Sequence, residues 1–199
     1  MPEEFVVQTI DLPSGELRLL QPAESAKIPD DHQVEWAPIA PYWSVLWRSG
    51  VALARELDGE ALAGRRVVEL GCGLAAPSIS AARGGATVLA TDGDVDALAL
   101  VRRNAEANGV RVETAALDWA DPDELVERGP FDLVLGSDIL YERPSVALLL
   151  RLLPRLAPTA WIADPGRPAA DAFLEQAERR WRVETRRRGV VRLHRIELG

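Results

Sequence analysis

The chain has 199 residues, 47% of them hydrophobic and 27% charged, and a formal net charge of −8. That balance fits one globular domain and excludes a disordered, collagen-like or low-complexity chain. The acidic total also argues against nucleic acid as the partner of the whole surface. A single cysteine, Cys72, excludes a disulfide framework and a multi-cysteine zinc site, and His32 and His194 lie far from any second ligand candidate, so no metal is expected. No stretch approaches the roughly 18 apolar residues of a membrane span. Met1-Pro2-Glu3-Glu4 opposes the positive start of a secretory signal, so a cytoplasmic location is expected.

Residues 4–21 alternate loosely around Pro13-Ser14-Gly15 and predict a β-hairpin. Residues 22–41 carry Pro22, Pro29, Pro38 and Pro41 with Asp30, Asp31 and Glu35, and predict an ordered loop. Val45, Leu46, Leu53 and Leu57 are spaced for one amphipathic helix over 42–57. Strands are expected at 67–70, 87–91, 110–116, 131–136 and 160–163, with helices over 77–83, from Asp94 to Asn108-Gly109, and over about 145–156 and 168–180. Two extended runs, 182–187 and 190–198, joined by Arg188-Gly189, end the chain. A terminal hairpin on a β-α-β-α chain implies an antiparallel strand added to a parallel sheet. The expected architecture is α/β: a doubly wound, Rossmann-like, seven-stranded mixed sheet whose last strand is antiparallel. Residues 1–60 are expected to form a hairpin-and-helix extension packed on a core of 61–199, within one domain overall.

Glu69-Leu70-Gly71-Cys72-Gly73-Leu74-Ala75-Ala76 lies where a strand gives way to a helix, the place where an open α/β sheet forms its ligand crevice. Glycines there let the backbone turn tightly and come close to a ligand. Asp92 ends the next strand, 21 residues after Gly71, and can accept from the two hydroxyls of an adenosine ribose. These features serve NAD as well as S-adenosylmethionine. Leu117-Asp118-Trp119 follows the third strand of the core, where a carboxylate can accept from an adenine amine and an indole can cover the ring. The next strand runs into Gly136-Ser137-Asp138-Ile139-Leu140-Tyr141-Glu142.

Together these segments resemble the seven-strand class I S-adenosylmethionine-dependent methyltransferases, over about residues 40–165. Asn104-Ala105-x-x-Asn108-Gly109 also looks like the end of that family's second core helix. Pro41-Tyr42-Trp43-Ser44-Val45-Leu46-Trp47-Arg48-Ser49-Gly50, the Asp138–Tyr141 run and Asp164-Pro165-Gly166-Arg167-Pro168 resemble, more narrowly, the family-16 protein lysine methyltransferases, among them the branch acting on the electron-transfer flavoprotein β-subunit. The resemblance implies S-adenosylmethionine as donor and S-adenosylhomocysteine as product. It implies Glu69 at the methionine amine, Asp92 at the ribose and Asp118 at adenine. Trp47, Gly71, Cys72, Gly73, Gly93, Trp119 and Ser137 complete the implied donor set. Asp138 would orient the acceptor amine and Tyr141 would wall its channel.

The implied partner is a protein with an accessible lysine, such as an electron-transfer flavoprotein or a translation protein. The alternatives are a small-molecule methyltransferase using the same donor site and a non-catalytic protein that binds adenosine compounds. Base-amine methyltransferases carry two prolines where Ile139-Leu140 stand here, which again argues against nucleic acid. The arginine-rich ending departs from the resemblance: from Glu175 onward eight arginines face four acids.

Overall fold

The computed structural model describes residues 4–27 and 41–199. Most of the expected proline-rich loop, with His32 and Trp36, lies outside the described residues. Phe5–Ile10 (β1) and Leu17–Pro22 (β2) form the expected antiparallel hairpin. It docks on the rest of the molecule through Ile10, Leu17 and Leu19, which pack with Ile79 and Leu100.

The expected helix over 42–57 divides. Tyr42–Ser44 is a 3-10 turn, and the α-helix (α1) runs only from Arg48 to Leu57. The reason is local competition for backbone partners. The Ser44 hydroxyl donates to the Pro41 carbonyl (2.6 Å) and the Trp47 indole donates to the Tyr42 carbonyl (3.0 Å), so the segment closes on itself before a helix can start.

Arg66–Leu70 (β3), Thr87–Asp92 (β4), Glu113–Ala116 (β5), Leu133–Ser137 (β6), Thr159–Asp164 (β7), Arg182–Arg188 (β8) and Val191–Glu197 (β9) form one sheet in the order β5-β4-β3-β6-β7-β9-β8. β3 to β7 run parallel, connected through Ala76–Arg83 (α2), Val95–Ala107 (α3), Asp123–Glu127 (α4) and Arg143–Leu156 (α5). Pro168–Ala177 (α6) leads to β8.

The antiparallel last strand is present, and it lies inside the sheet: β9 pairs with β7 on one side and β8 on the other. Burial decides which strand of the hairpin goes inside. Val191, Leu193 and Ile196 of β9 are buried, whereas β8 has no buried residue and leaves its arginines at the solvated edge.

Strand alternation supplies both faces of the sheet. Val68 and Val134 pack with Leu149 and Leu153 of α5 and Phe173 of α6 on one side. Val67, Leu133 and Leu135 meet Leu53 and Leu57 of α1 on the other. α4 escaped the periodicity argument because five residues contain only one buried apolar anchor, Leu125. β5 starts at Glu113 rather than Val110, because the Val110 amide still donates to the Ala105 carbonyl of α3 (3.1 Å).

Asn104 on α3 and Asn108, which caps its C-terminal end one turn later, hold the hairpin. The Leu20 and Arg18 amides of β2 donate to their side-chain oxygens (2.7 and 3.0 Å), and the side-chain amides donate back to the carbonyls of the same two residues (3.3 and 2.6 Å). The two asparagines thus stand in for a neighbouring strand.

Candidate active site

The carboxyl ends of β3, β4 and β6 meet at the point where the chain changes its direction of travel through the sheet, which is where an open α/β sheet holds its ligand. After β3 the backbone is left-handed at Gly71 (φ 59°) and Gly73 (φ 49°). Neither position takes a Cβ without displacing a neighbour. A Cβ at Gly71 would lie 3.1 Å from the Trp119 ring and 3.2 Å from Ile139, and one at Gly73 would lie 2.9 Å from the Trp43 carbonyl oxygen. The loop after β3 is therefore clasped by the loops after β5 and β6 and by the segment preceding α1.

Asp92 ties this loop to β4. Its carboxylate accepts from the Gly73 amide (2.9 Å) and the Asp94 amide (3.0 Å). Burial pushes its pKa up against the lowering effect of those two amides. Glu69 is fully buried, and its Oε2 accepts from the backbone amide (2.9 Å) and hydroxyl of Ser78 in α2. Its other oxygen has no hydrogen-bond partner among the described residues. Burial pushes the Glu69 pKa up to about 8, against the Ser78 bonds, and the charge of Asp92 adds to the rise. Cys72 is 5% exposed; burial, then Glu69 and Asp92, push its thiol well up, so it offers packing and no thiolate nucleophile.

Around the other half of the crevice, Asp138 sits just past β6 in left-handed backbone (φ 57°). Few side chains adopt that conformation, and a short polar one does so at least cost. Its side chain is 7% exposed, and both oxygens are taken by the Arg167 guanidinium: Nε donates to Oδ1 (2.6 Å) and Nη2 to Oδ2 (2.9 Å). The guanidinium carbon lies 6.0 Å from the Trp47 ring centroid. Tyr141 is 55% exposed and stacks with Tyr42 at 6.4 Å. Partial burial raises the Tyr141 pKa, as do the charges of Glu142, Asp92 and Asp138, which places the phenol in the field of carboxylates from both β4 and β6.

The structure thus gathers Trp47, Glu69, Gly71, Cys72, Gly73, Asp92, Trp119, Asp138 and Tyr141 around one crevice. Three expected residues stand apart in detail. Asp118 is exposed and accepts from the Ala120 amide (2.8 Å), bracing its own loop. Gly93 is exposed, and a Cβ there would meet nothing within 4 Å. The Ser137 hydroxyl lies 3.5 Å from where a Cβ on Gly50 of α1 would be. Sequence reasoning missed Ser78 as the Glu69 partner, Ile139 and Trp43 as walls of the glycine loop, and Arg167 as the partner of Asp138. The signal for Arg167 was its place in the loop after β7, on the same edge of the sheet as the other site loops.

Among the described residues no group of three or more His, Cys, Asp or Glu side chains is arranged to hold a metal ion, and no helix is long and apolar enough to cross a membrane. A buried Asp164 below this loop accepts from the Gly166 amide (2.6 Å) and from Arg192 (2.7 Å) and pairs with His194 (2.6 Å). Burial opposes ionisation of Asp164, but the bonds from His194, Arg192 and Gly166 outweigh it and hold its pKa below the usual carboxylate value.

Among solved structures the fold is similar to the T. thermophilus 16S rRNA N2 G1207 methyltransferase (TM-score 0.70, 16% identity, covering 100% of this chain and 52% of that one). It is also similar to ribosomal protein L11 methylase from Lactobacillus delbrueckii subsp. bulgaricus (TM-score 0.57, 22% identity, 74% and 75%). In sequence the chain is 36% identical over 141 residues to the electron transfer flavoprotein beta subunit lysine methyltransferase of Xenopus laevis, covering 66% of this chain and 55% of that protein. The Danio rerio protein of the same name is 33% identical over 162 residues (78% and 61%), and EEF1A lysine methyltransferase 3 of Mus musculus is 37% identical over 116 residues (56% and 49%). The chain spans about half to three-fifths of the length of these relatives. A family model described as lysine methyltransferase matches residues 41–162, and with glycine loop, carboxylates and sheet order all in place, the chain belongs to the lysine methyltransferase family.

Proposed function

We propose that the protein transfers a methyl group from S-adenosylmethionine to a lysine side chain of a protein substrate and leaves S-adenosylhomocysteine. The observation that carries this reading is the buried Asp138 carboxylate, held in left-handed backbone beside Tyr141 at the crevice that the glycine loop floors. Asp92, Trp119, the Gly71–Gly73 backbone and the other residues of the implied donor set would hold the donor. The residues present fit such a cation: Glu69 has an unpartnered buried oxygen, and burial raises the pKa values of both Glu69 and Asp92, so a cationic ligand beside them would favour the carboxylate forms that burial disfavours.

When bound, the donor supplies an electrophilic methyl on a sulfonium. The chain's own part is placement. Lysine must lose a proton, against a reference pKa of about 10.4, before it can attack. Asp138 fixes the direction of the amine through a charge-assisted hydrogen bond, and Tyr141 walls the alkyl stem. Relatives named for an electron-transfer flavoprotein subunit and for a translation factor support a protein partner of that kind. In this reading, residues 1–60 form an extension packed on a core of 61–199, and the protein works as one domain in the cytoplasm. Tritiated donor added to host lysate, followed by mass spectrometry, should label a protein lysine. Label confined to RNA or small molecules refutes the proposal. Asp138→Ala should lower turnover by two or more orders of magnitude and leave S-adenosylhomocysteine affinity within about threefold.

A further inference from the structure

The carboxylate assigned to the acceptor is already holding a cation. Arg167 engages both oxygens of Asp138 in a fork, and such bidentate charge-assisted pairs are among the strongest hydrogen-bonded contacts a side chain makes. A lysine ammonium offers the same chemistry to the same two oxygens. With the side chain of Asp138 only 7% exposed, a second cation has no separate approach to it while the guanidinium stays. The aromatic surface that would receive an incoming cation is in use too, since the guanidinium lies toward the Trp47 ring.

We infer that Arg167 is an internal stand-in for the acceptor cation: it occupies the fork of Asp138 beside Trp47 and must leave for a substrate's cationic side chain to bind there. The inference rests on the methyltransferase reading above and adds a gate to it. The main chain around Arg167 favours release by side-chain rotation. Gly166 is tied to Asp164, which Arg192 and His194 hold from β9, and Pro168 starts α6 directly after Arg167. The backbone is thus anchored on both sides, while the Arg167 side chain is 30% exposed on a flexible stem. Affinity for an acceptor cation is then the intrinsic affinity multiplied by the fraction of time Asp138 is vacated. If Arg167 holds the fork for nine-tenths of the time, its removal tightens binding about tenfold.

The probe is n-butylammonium, which reproduces the end of a lysine side chain, titrated into the full chain with S-adenosylhomocysteine bound and followed by NMR. Arg167→Ala should bind it about tenfold more tightly than the unchanged protein, Arg167→Lys should gain less, and Arg167→Ala combined with Asp138→Asn should lose the gain. In the unchanged protein, saturating n-butylammonium should abolish the protection of the Arg167 Nε proton from solvent exchange, a readout that needs no variant to fold. Equal or weaker binding by Arg167→Ala, with S-adenosylhomocysteine still bound, or a protected Nε proton at saturation, overturns the gate and makes Arg167 a fixed brace of Asp138. Failure of S-adenosylhomocysteine to bind the unchanged protein at all overturns the methyltransferase reading, and the gate with it.

Discussion

Replacing Glu69 by Gln tests the electrostatics of the crevice floor. The amide keeps the shape of the carboxyl and an oxygen for the two Ser78 donors, and it cannot ionise. The folded pKa of Glu69 is pushed up to about 8 from an ordinary 4.5, so the folded state binds this proton more tightly than the unfolded chain does. The stability the group contributes is therefore complete below pH 4.5 and is lost as the pH rises through 8. At about 1.4 kcal/mol per pH unit, the full interval corresponds to about 5 kcal/mol, and the part between pH 5 and 8 to about 4 kcal/mol. In a chain of 199 residues, each kcal/mol moves the melting temperature by about 2–4 °C. Scanning calorimetry of the ligand-free protein should therefore show the unfolding temperature of Glu69→Gln gaining on the unchanged protein by on the order of 10 °C between pH 5 and 8. Parallel curves across that range would mean that Glu69 ionises normally in the fold. The account of a buried carboxyl whose charge is suppressed until a cation arrives would then be wrong.

Three further outcomes follow from the geometry. Asp92→Ala removes the acceptor for the Gly73 and Asp94 amides as well as the proposed ribose contact, so calorimetric affinity for S-adenosylhomocysteine should fall by at least about tenfold; unchanged affinity would refute the role. Gly73→Ala forces a methyl to 2.9 Å from the Trp43 carbonyl oxygen in left-handed backbone and should cost about 1–3 kcal/mol in urea unfolding, whereas a neutral result would mean that the segment before α1 yields freely. Asp164→Ala leaves buried His194 and part-buried Arg192 without their shared acceptor and should cost about 3–5 kcal/mol at pH 7. Because the Asp164 pKa is held below its ordinary value, its contribution is present above pH 4 and lost as pH falls through the folded pKa, so unchanged protein and variant should converge in acid.

The sheet could be anticipated because β3, β4, β6 and β7 are short apolar runs buried on both faces, and their spacing leaves room for one helix each. The glycine loop, Asp92 and Asp138 were visible for the same reason: each stands at or directly after the end of a strand, where residue order alone puts it at the crevice. What escaped depended on contacts between distant segments. Pairing of Arg167 with Asp138 spans 29 residues and two elements, α5 and β7, and no local pattern announces it. The turn at 42–44 won over the helix through side-chain bonds to its own backbone, which apolar spacing does not register. β9 took the interior place through burial that becomes visible only once β7 lies beside it.

The interior position of β9 also sets an order of assembly. β8 leaves the ribosome before the strand that joins it to the sheet, because its ladder runs to β9 and not to β7. Arg192 and His194, which secure Asp164 and through it the turn leading to Arg167, arrive on that same late strand. A nascent chain can thus complete its glycine-rich half first, with the gated half maturing only when the final strand slots between its neighbours.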